Sequence, residues 1–173
     1  MAYTYSKLAE TTVGAGGASA ITFNNIPQNY TDLVLKLSTR SDRSTGTATS
    51  VQISFNGSTS SFKDKSLEAS GTGVYSYSAN PSDGTIGYTD QNNLTTNTFG
   101  SNEIYIPNYT SSNYKSISTE AVSENNSSTS NYMDIRAVLW SNVTAITSIR
   151  LKPGSFNFMQ YSTATLYGIR VEL

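Results

Sequence analysis

Hydrophobic and polar residues alternate along most of this chain. The clearest alternation lies in segments 32–38, 51–55, 103–106, 115–123 and 132–140. A period of two residues predicts β-strands with one apolar face, and β-branched and aromatic residues dominate these segments. No stretch of twelve residues shows the 3.6-residue period of an amphipathic helix.

Two of these segments separate into distinct faces. In segment 132–140 one face carries Met133, Ile135, Ala137 and Leu139, and the other carries Tyr132, Asp134, Arg136, Val138 and Trp140. In segment 115–123 one face carries Ile117, Thr119 and Ala121, and the other carries Ser116, Ser118 and Glu120.

Turn residues divide the strands. Glycines at 14–17 and the Asn-Asn-Ile-Pro run at 24–27 interrupt the N-terminal part. Asn56-Gly57 accepts positive φ and predicts a β-hairpin turn. Residues 79–98 are rich in turn formers and are interpreted as a long excursion. Pro107 is expected to end the strand at 103–106, because proline cannot donate to the ladder.

These segments predict an all-β fold: a single-domain antiparallel β-sandwich, with a jelly roll favoured. Weaker strand candidates lie near 20–23, 62–67, 74–77, 145–151 and 161–171, and we expect eight or nine of the ten segments to form strands. Residues 1–17 are interpreted as an N-terminal arm or first edge strand, and residues 18–173 as the β-sandwich domain. No internal repeat is visible, which argues against a propeller or solenoid.

The composition changes the functional interpretation. The 173 residues include no histidine and no cysteine, whereas Asn, Ser and Thr together number 67. The commonest general base, the commonest transition-metal ligands and the thiol nucleophile are therefore missing. Such a chain is better suited to binding or assembly than to catalysis, and doing without disulfides fits folding in a reducing cytoplasm.

The charge is sparse and mixed. Eleven Lys and Arg residues and twelve Asp and Glu residues give a net charge of −1. No basic stripe is present to neutralise phosphates, so we expect no nucleic-acid partner. No segment is apolar enough to cross a bilayer, and the first residues lack the pattern of a secretion signal, so we expect no membrane insertion.

Candidate catalytic or metal-binding groups are limited to carboxylates. One hypothesis pairs acids for glycoside hydrolysis, and another is a Ca²⁺ site, since Ca²⁺ takes oxygen ligands. The residues considered are Asp83 with Asp90 and Glu120 with Glu124 for the acid pairs, and Asp83, Asp90 and Asn92 or Asn93 for calcium. The spacing matches no EF-hand, and solvated surface acids are the favoured interpretation. We therefore predict no catalytic, metal or cofactor-binding residues and no cofactor.

The twelve tyrosines are the remaining candidates for ligand contact. Two groups cluster near turns, namely Tyr105, Tyr109 and Tyr114, and Tyr75, Tyr77 and Tyr88. Tyrosine is enriched in interfaces and sugar-binding surfaces, but it also covers sheet faces in chains poor in leucine and valine. The second interpretation is favoured for any single tyrosine. Trp140 is interpreted as core or intersubunit packing.

Several short motifs, in this order, resemble small β-sandwich structural proteins of tailed bacteriophages. They are YTDLVL at 30–35, ISFNG at 53–57, EIYIPNY at 103–109, ENN at 124–126, LWS at 139–141, AITSI at 145–149 and TLYGI at 165–169. The resemblance spans nearly the whole chain. Its motifs are structural, and it supplies no active-site residues.

The resemblance implies a non-enzymatic virion protein assembled in the host cytoplasm. The favoured expectation is a capsid decoration protein, of cement or head-fibre type, that forms a homotrimer and binds the major capsid protein or other virion proteins. The alternative is a tail-fibre or receptor-binding protein that recognises host surface glycans. A third hypothesis, from the carboxylates alone, is a glycan-degrading enzyme.

Overall fold

The computed structural model describes residues 3–171, and the side chains of residues 4–170. Within that range it contains twelve strands and no helix, which confirms the all-β prediction. The strands are β1 (Tyr3–Thr12), β2 (Ile21–Phe23), β3 (Asp32–Ser41), β4 (Thr49–Phe55), β5 (Phe62–Ser70), β6 (Gly73–Ala79), β7 (Gly84–Gln91), β8 (Gly100–Ile106), β9 (Lys115–Ser123), β10 (Tyr132–Trp140), β11 (Ile149–Lys152) and β12 (Thr163–Val171).

The strands form a large and a small sheet. The large sheet has the antiparallel order β1-β12-β3-β8-β9-β10-β5-β6, and the small sheet has the antiparallel order β2-β11-β4-β7. The sheets join where the end of β3 pairs in parallel with the end of β7, at Arg40 with Asp90 and Ser41 with Gln91. The chain is therefore a single-domain β-sandwich whose strands are antiparallel except at this junction. The jelly-roll connectivity stays a prediction.

An apolar core lies between the two sheets. The small sheet contributes Ile53 and Phe55, and the large sheet contributes Leu35, Ile104 and Ile117, all at most 1 % exposed. These residues occupy alternate positions of their strands, as the period-two pattern predicts. The alternation thus explains which residues of β8 and β9 are buried, whereas β3 and β4 are also buried at intervening positions such as Val34 and Ser54.

Two glycines let β7 lie very close to the large sheet. A Cβ added at Gly87 would lie 2.3 Å from the Ala121 Cβ on β9, and one at Gly84 would lie 2.7 Å from Val138 Cγ1 on β10. Gly87 also has φ +131°, which other residues rarely adopt. Since neither position has room for a side chain, glycine is required for this close packing of β7 over β9 and β10.

The prediction of a β-hairpin at Asn56-Gly57 is wrong, because the strands on either side of this turn do not pair. Both residues have positive φ, 53° and 72°, as predicted. However, β4 pairs with β7 and β11, whereas β5 pairs with β6 and β10, so the turn carries the chain from one sheet to the other. The Asn56 side chain explains this geometry, because its amide donates to the Ala145 carbonyl at 2.7 Å and accepts from the Thr147 N–H at 2.8 Å. The turn is therefore fastened to a distant loop.

The predicted excursion at 79–98 is also wrong, because β7 lies within it. Strand β7 consists mostly of glycine and polar residues, so its sequence lacks the apolar alternation of a half-buried strand. Segment 145–151 forms a strand only from Ile149 onward, whereas Pro107 follows the end of β8 as predicted.

Candidate interaction surface

The outer face of the large sheet carries a group of exposed apolar side chains, which we call the outer patch. Strands β5, β6, β9 and β10 supply its members, with exposed fractions of 44 to 71 %: Leu67, Val74, Val122, Met133 and Ile135. Contiguous exposed apolar surface is uncommon on a soluble monomer and marks an interaction site. The outer patch is therefore the leading candidate for a functional surface.

Strand register makes the outer patch continuous. Met133 on β10 lies opposite Ala69 on β5 and Val122 on β9, and Ile135 lies opposite Leu67. Residues directly opposite in antiparallel strands have Cβ atoms about 5 Å apart on the same face. A cleft of about 150 Å³, lined mainly by aliphatic residues, lies within the patch.

The patch reaches an open sheet edge at β6. Within the described residues β6 pairs only with β5, and its sequence contains no charge and no proline. Val74 points outward beside Ala69, whereas Tyr75 and Tyr77 stack on the opposite face with ring centroids 6.3 Å apart. An uncharged edge of this kind offers unpaired backbone groups to another strand.

The inner face behind the outer patch is charged. The Arg136 guanidinium donates to Asp134 Oδ2 from Nε at 2.9 Å and from Nη2 at 2.6 Å, and Nη2 lies 3.3 Å from Glu68 Oε2. All three side chains are at least nine-tenths buried. Burial raises the pKa of Asp134, and the Arg136 guanidinium opposes that rise. The ion pairs offset the cost of burying these charges.

Tyrosines from the small sheet and β10 enclose this charged group. The Arg136 Cζ lies 4.9 Å from the centroid of the Tyr88 ring, a cation–π geometry. The Tyr132 ring packs 4.7 Å from Tyr88 and its hydroxyl lies 3.0 Å from Thr47 Oγ1. Burial raises the pKa of Tyr88, so its hydroxyl stays protonated at neutral pH. The arrangement is a closed structural network.

The structure does not bring the calcium candidates together. Asp83 immediately precedes β7 and forms an ion pair with Lys152 at 2.6 Å, whereas Asp90, near the other end of β7, accepts from Ser123 Oγ at 2.6 Å and Asn125 Nδ2 at 3.0 Å. Among residues 3–171, no three Asp, Glu, His or Cys side chains lie where they could hold a metal ion. Asn92 and Asn93 are exposed in the loop after β7. Asp83 and Asp90 therefore have separate structural partners.

Glu120 and Glu124, the second candidate acid pair, also lie in different surroundings. Glu120 is exposed on the outer face of β9, opposite Glu103 on β8. Glu124 Oε1 accepts the backbone N–H groups of Asn125 and Asn126, each at 3.0 Å, and so shapes the following loop.

The predicted tyrosine group of Tyr105, Tyr109 and Tyr114 does not form one surface. Tyr109 is fully buried and its hydroxyl donates to the Pro27 carbonyl, whereas the Tyr105 hydroxyl donates to Asp32 Oδ2 at 2.8 Å. Tyr114 is 59 % exposed. Trp140 is 0 % exposed within the core, which confirms the packing interpretation.

A groove beside Tyr161 was not predicted from the sequence. This groove, of about 230 Å³, has two aromatic and three amide side chains in its lining: Phe99, Tyr161, Asn92, Asn97 and Gln160. Tyr161 is 67 % exposed and has φ +71°, a strained value for an aromatic residue. The Arg40 guanidinium donates to the Thr95 and Thr98 carbonyls at 2.8 and 2.7 Å, which fixes the loop on one side of the groove. The prediction had placed Tyr161 in a strand, and the two loops are far apart in sequence.

Comparisons with protein-family models, curated proteins and solved structures found no match to this chain. Nothing in residues 3–171 forms a helix long and apolar enough to cross a membrane.

Proposed function

We propose that this protein is a non-enzymatic structural component of a tailed-bacteriophage virion, assembled in the host cytoplasm. Within the virion we propose capsid decoration, of the cement or head-fibre type, as a homotrimer bound to the major capsid protein or to other virion proteins. The outer patch is the observation that carries the assembly role, and the motif resemblance is the basis for the virion.

The contrast between the two faces of β5 and β10 supports an assembly role. A half-exposed antiparallel sheet ordinarily turns apolar residues inward and polar residues outward. Here Ile135 and Leu67 point outward, whereas Arg136 and Glu68 are buried on the inner face. Burying the outer patch in an assembly would remove this apolar surface from water, at about 25 cal/mol per Å².

The sandwich itself also suits a particle component. Its single domain is closed by a continuous core, and its exposed surface is dominated by Ser, Thr and Asn rather than by charge. Such a surface forms hydrogen-bonded contacts without desolvating many charges, whose burial is costly.

Antibody-gold labelling of intact virions tests the proposal. Phage particles that carry this chain are labelled with antibody against it and viewed by electron microscopy. Gold over the heads is the expected result. Gold confined to the tails would replace decoration by the tail-fibre alternative, and particles without gold would contradict a virion location.

Binding to assembled capsids gives a second test. We expect the purified protein to co-sediment with capsids that lack it and not to adsorb to bare host cells. Failure to bind such capsids, with adsorption to cells instead, would contradict the decoration role.

The groove beside Tyr161 favours a second candidate function, recognition of host surface glycans by a tail-fibre or receptor-binding protein. An exposed aromatic ring stacks on the apolar face of a sugar, and amide side chains bond its hydroxyls. The bonds from Arg40 hold the loop before binding, which reduces the entropy lost on binding.

A glycan array tests this second candidate. Glycan binding by the wild type that Tyr161→Ala weakens at least tenfold would support it. Tyr114→Ala is the matched control, because Tyr114 is similarly exposed and does not line the groove. No bound glycan, or equal loss in both variants, would contradict it.

A further inference from the structure

We infer that the outer patch is covered by a second copy of this chain, in a closed ring of copies whose symmetry axis runs along the β5 and β10 strands. The inference rests on the proposed assembly role and assigns it a surface and a partner. It follows from the placement of apolar and charged side chains on the outer face.

The apolar part of the outer face is centred on β10. Ile135 and Met133 lie on β10, between β5 and β6 on one side and β9 and β8 on the other. Val74, Leu67 and Val122 extend the apolar surface to both sides of β10. A symmetry axis facing β10 would bring these residues from neighbouring copies together and exclude water from them.

On the strands that flank β10, namely β5, β6, β8 and β9, the exposed charges of this face are divided by sign. Lys63 and Lys65 are exposed on β5, whereas Glu103 and Glu120 are exposed on β8 and β9. Around an axis parallel to the strands, the β5 side of one copy faces the β9 side of the next. Each contact then sets lysines against glutamates, which is the complementarity expected of a specific interface.

Among residues 3–171, the two glutamates on the β8 and β9 side of this face have only one cation near them, Lys36. Glu103 and Glu120 lie directly opposite each other, and like charges in that position are destabilising. Lys36 lies 3.0 Å from Glu103, but no ion pair within the described residues reaches Glu120. Lys63 and Lys65 likewise form no ion pair there, so both signs are available to another copy.

The two edge strands of the large sheet, β1 and β6, are protected to different degrees. On β1 an exposed Lys7–Glu10 ion pair and an irregularity between Lys7 and Ala9 guard the edge, as is usual for edges that stay free. On β6 neither device is present. The unguarded edge adjoins the outer patch, so a neighbouring copy seated there would cover both.

The mass of the purified full-length chain in solution tests the inference. Light scattering after gel filtration should give a whole multiple of 18.7 kDa, and a value near three times that mass would fit the proposed trimer. Leu67→Glu and Ile135→Glu should each lower the mass to that of one chain and leave the far-ultraviolet circular dichroism unchanged. Val143→Glu is the matched control, because Val143 is also 54 % exposed but lies outside the face.

A wild type that is monomeric at high micromolar concentration would overturn the inference. So would an oligomer that both outer-patch variants leave intact. If virions are labelled while the purified chain stays monomeric, the virion role stands and the second copy fails. If the purified chain forms the oligomer but virions are not labelled, the contact between copies stands and the virion role fails.

Charge reversal shows whether the partner is another copy. Lys65→Glu and Glu120→Lys should each weaken self-association by about tenfold, because each sets like charges against each other. The double variant should recover most of the loss, since every contact again pairs opposite signs. Two single losses that simply add in the double variant would contradict contact between these sides.

Discussion

The two ends of the β5–β10 strand pair differ in which face is apolar. At one end Phe62 and Trp140 are buried against Phe55, and Lys63 points outward. At the other end the charged Glu68 and Arg136 are buried, and apolar residues of the outer patch point outward. The first end has the ordinary sidedness of a sandwich. The second end reverses this sidedness, as expected if its outer face is covered in the proposed assembly.

The energetic basis of the two ends differs accordingly. The aromatic end is stabilised by apolar area removed from water, which does not depend on pH. The charged end depends on an ion-pair network in which burial raises the pKa of Asp134, so its stability changes with pH. Substitutions at the two ends can therefore be distinguished by the size and the pH dependence of their effects.

Trp140→Ala should produce the largest loss at the aromatic end. The Trp140 ring lies 5.2 Å from Phe55 and 6.4 Å from Phe62, and its removal leaves a cavity. We expect the free energy of unfolding to fall by about 3–5 kcal/mol at any pH between 5 and 8. Urea unfolding followed by circular dichroism measures this loss. A cost below that of an exposed substitution such as Val143→Ala would show that the end is not tightly packed.

Arg136→Met should cost a similar amount at neutral pH, because it leaves Asp134 and Glu68 buried without their cation. Breaking a buried ion pair from one side costs about 3–5 kcal/mol. Burial already raises the pKa of Asp134 in the native protein, and loss of Arg136 raises it further. The cost is therefore fully present above that raised pKa and shrinks as the pH falls through it and the carboxyl becomes neutral.

The control for this comparison replaces the whole network. A triple variant with Glu68→Gln, Asp134→Asn and Arg136→Met buries no charge in the network and should recover most of the loss at neutral pH. Urea unfolding of both variants from pH 5 to 8 gives the comparison. A loss for Arg136→Met that is independent of pH would show that packing, rather than charge, holds this end together.

Lys115→Met should have an intermediate effect at the aromatic end. Lys115 is the buried cation there, and its Nζ donates to the carbonyls of Ser111, Asn113 and Thr144 at 2.6 to 2.8 Å. Methionine preserves the apolar stem and leaves the three carbonyls without this donor, at about 1–3 kcal/mol. Thermal unfolding measures the effect. Arg150→Met, at an exposed position of β11 outside the outer face, is the control and should change stability by less than about 0.5 kcal/mol.

Asp64→Asn should have the smallest effect and the opposite sign. Burial raises the pKa of Asp64, so its ionised form lowers stability above that pKa, and this cost is relieved as the pH falls through it. Asparagine removes the charge and keeps an oxygen to accept the Thr85 N–H, which now donates to Asp64 Oδ2 at 2.9 Å. We expect a gain of up to about 1 kcal/mol at neutral pH, of the order of one hydrogen bond, that disappears at acidic pH. A loss at neutral pH that shrinks as the pH falls would show instead that the ionised carboxylate is needed.

The alternation of apolar and polar residues was sufficient to predict most strands, because a half-buried strand repeats every two residues whatever its neighbours are. It failed for β7, where glycines at 84 and 87 are required by close packing against β9 and β10, and where no apolar period remains. It also failed for the destination of β5, because the Asn56 side chain is held by residues 145–148 on a distant loop.

The sequence by itself determined the twofold grouping of β10 side chains, with Met133 and Ile135 on one face and Asp134 and Arg136 on the other. Only the tertiary structure decided which face is buried. Arg136 meets Glu68, 68 residues away on the neighbouring strand, and the ring of Tyr88 from the other sheet covers the Arg136 guanidinium. A charge can be buried only where its partners converge, and that convergence is a property of strand pairing rather than of any local pattern.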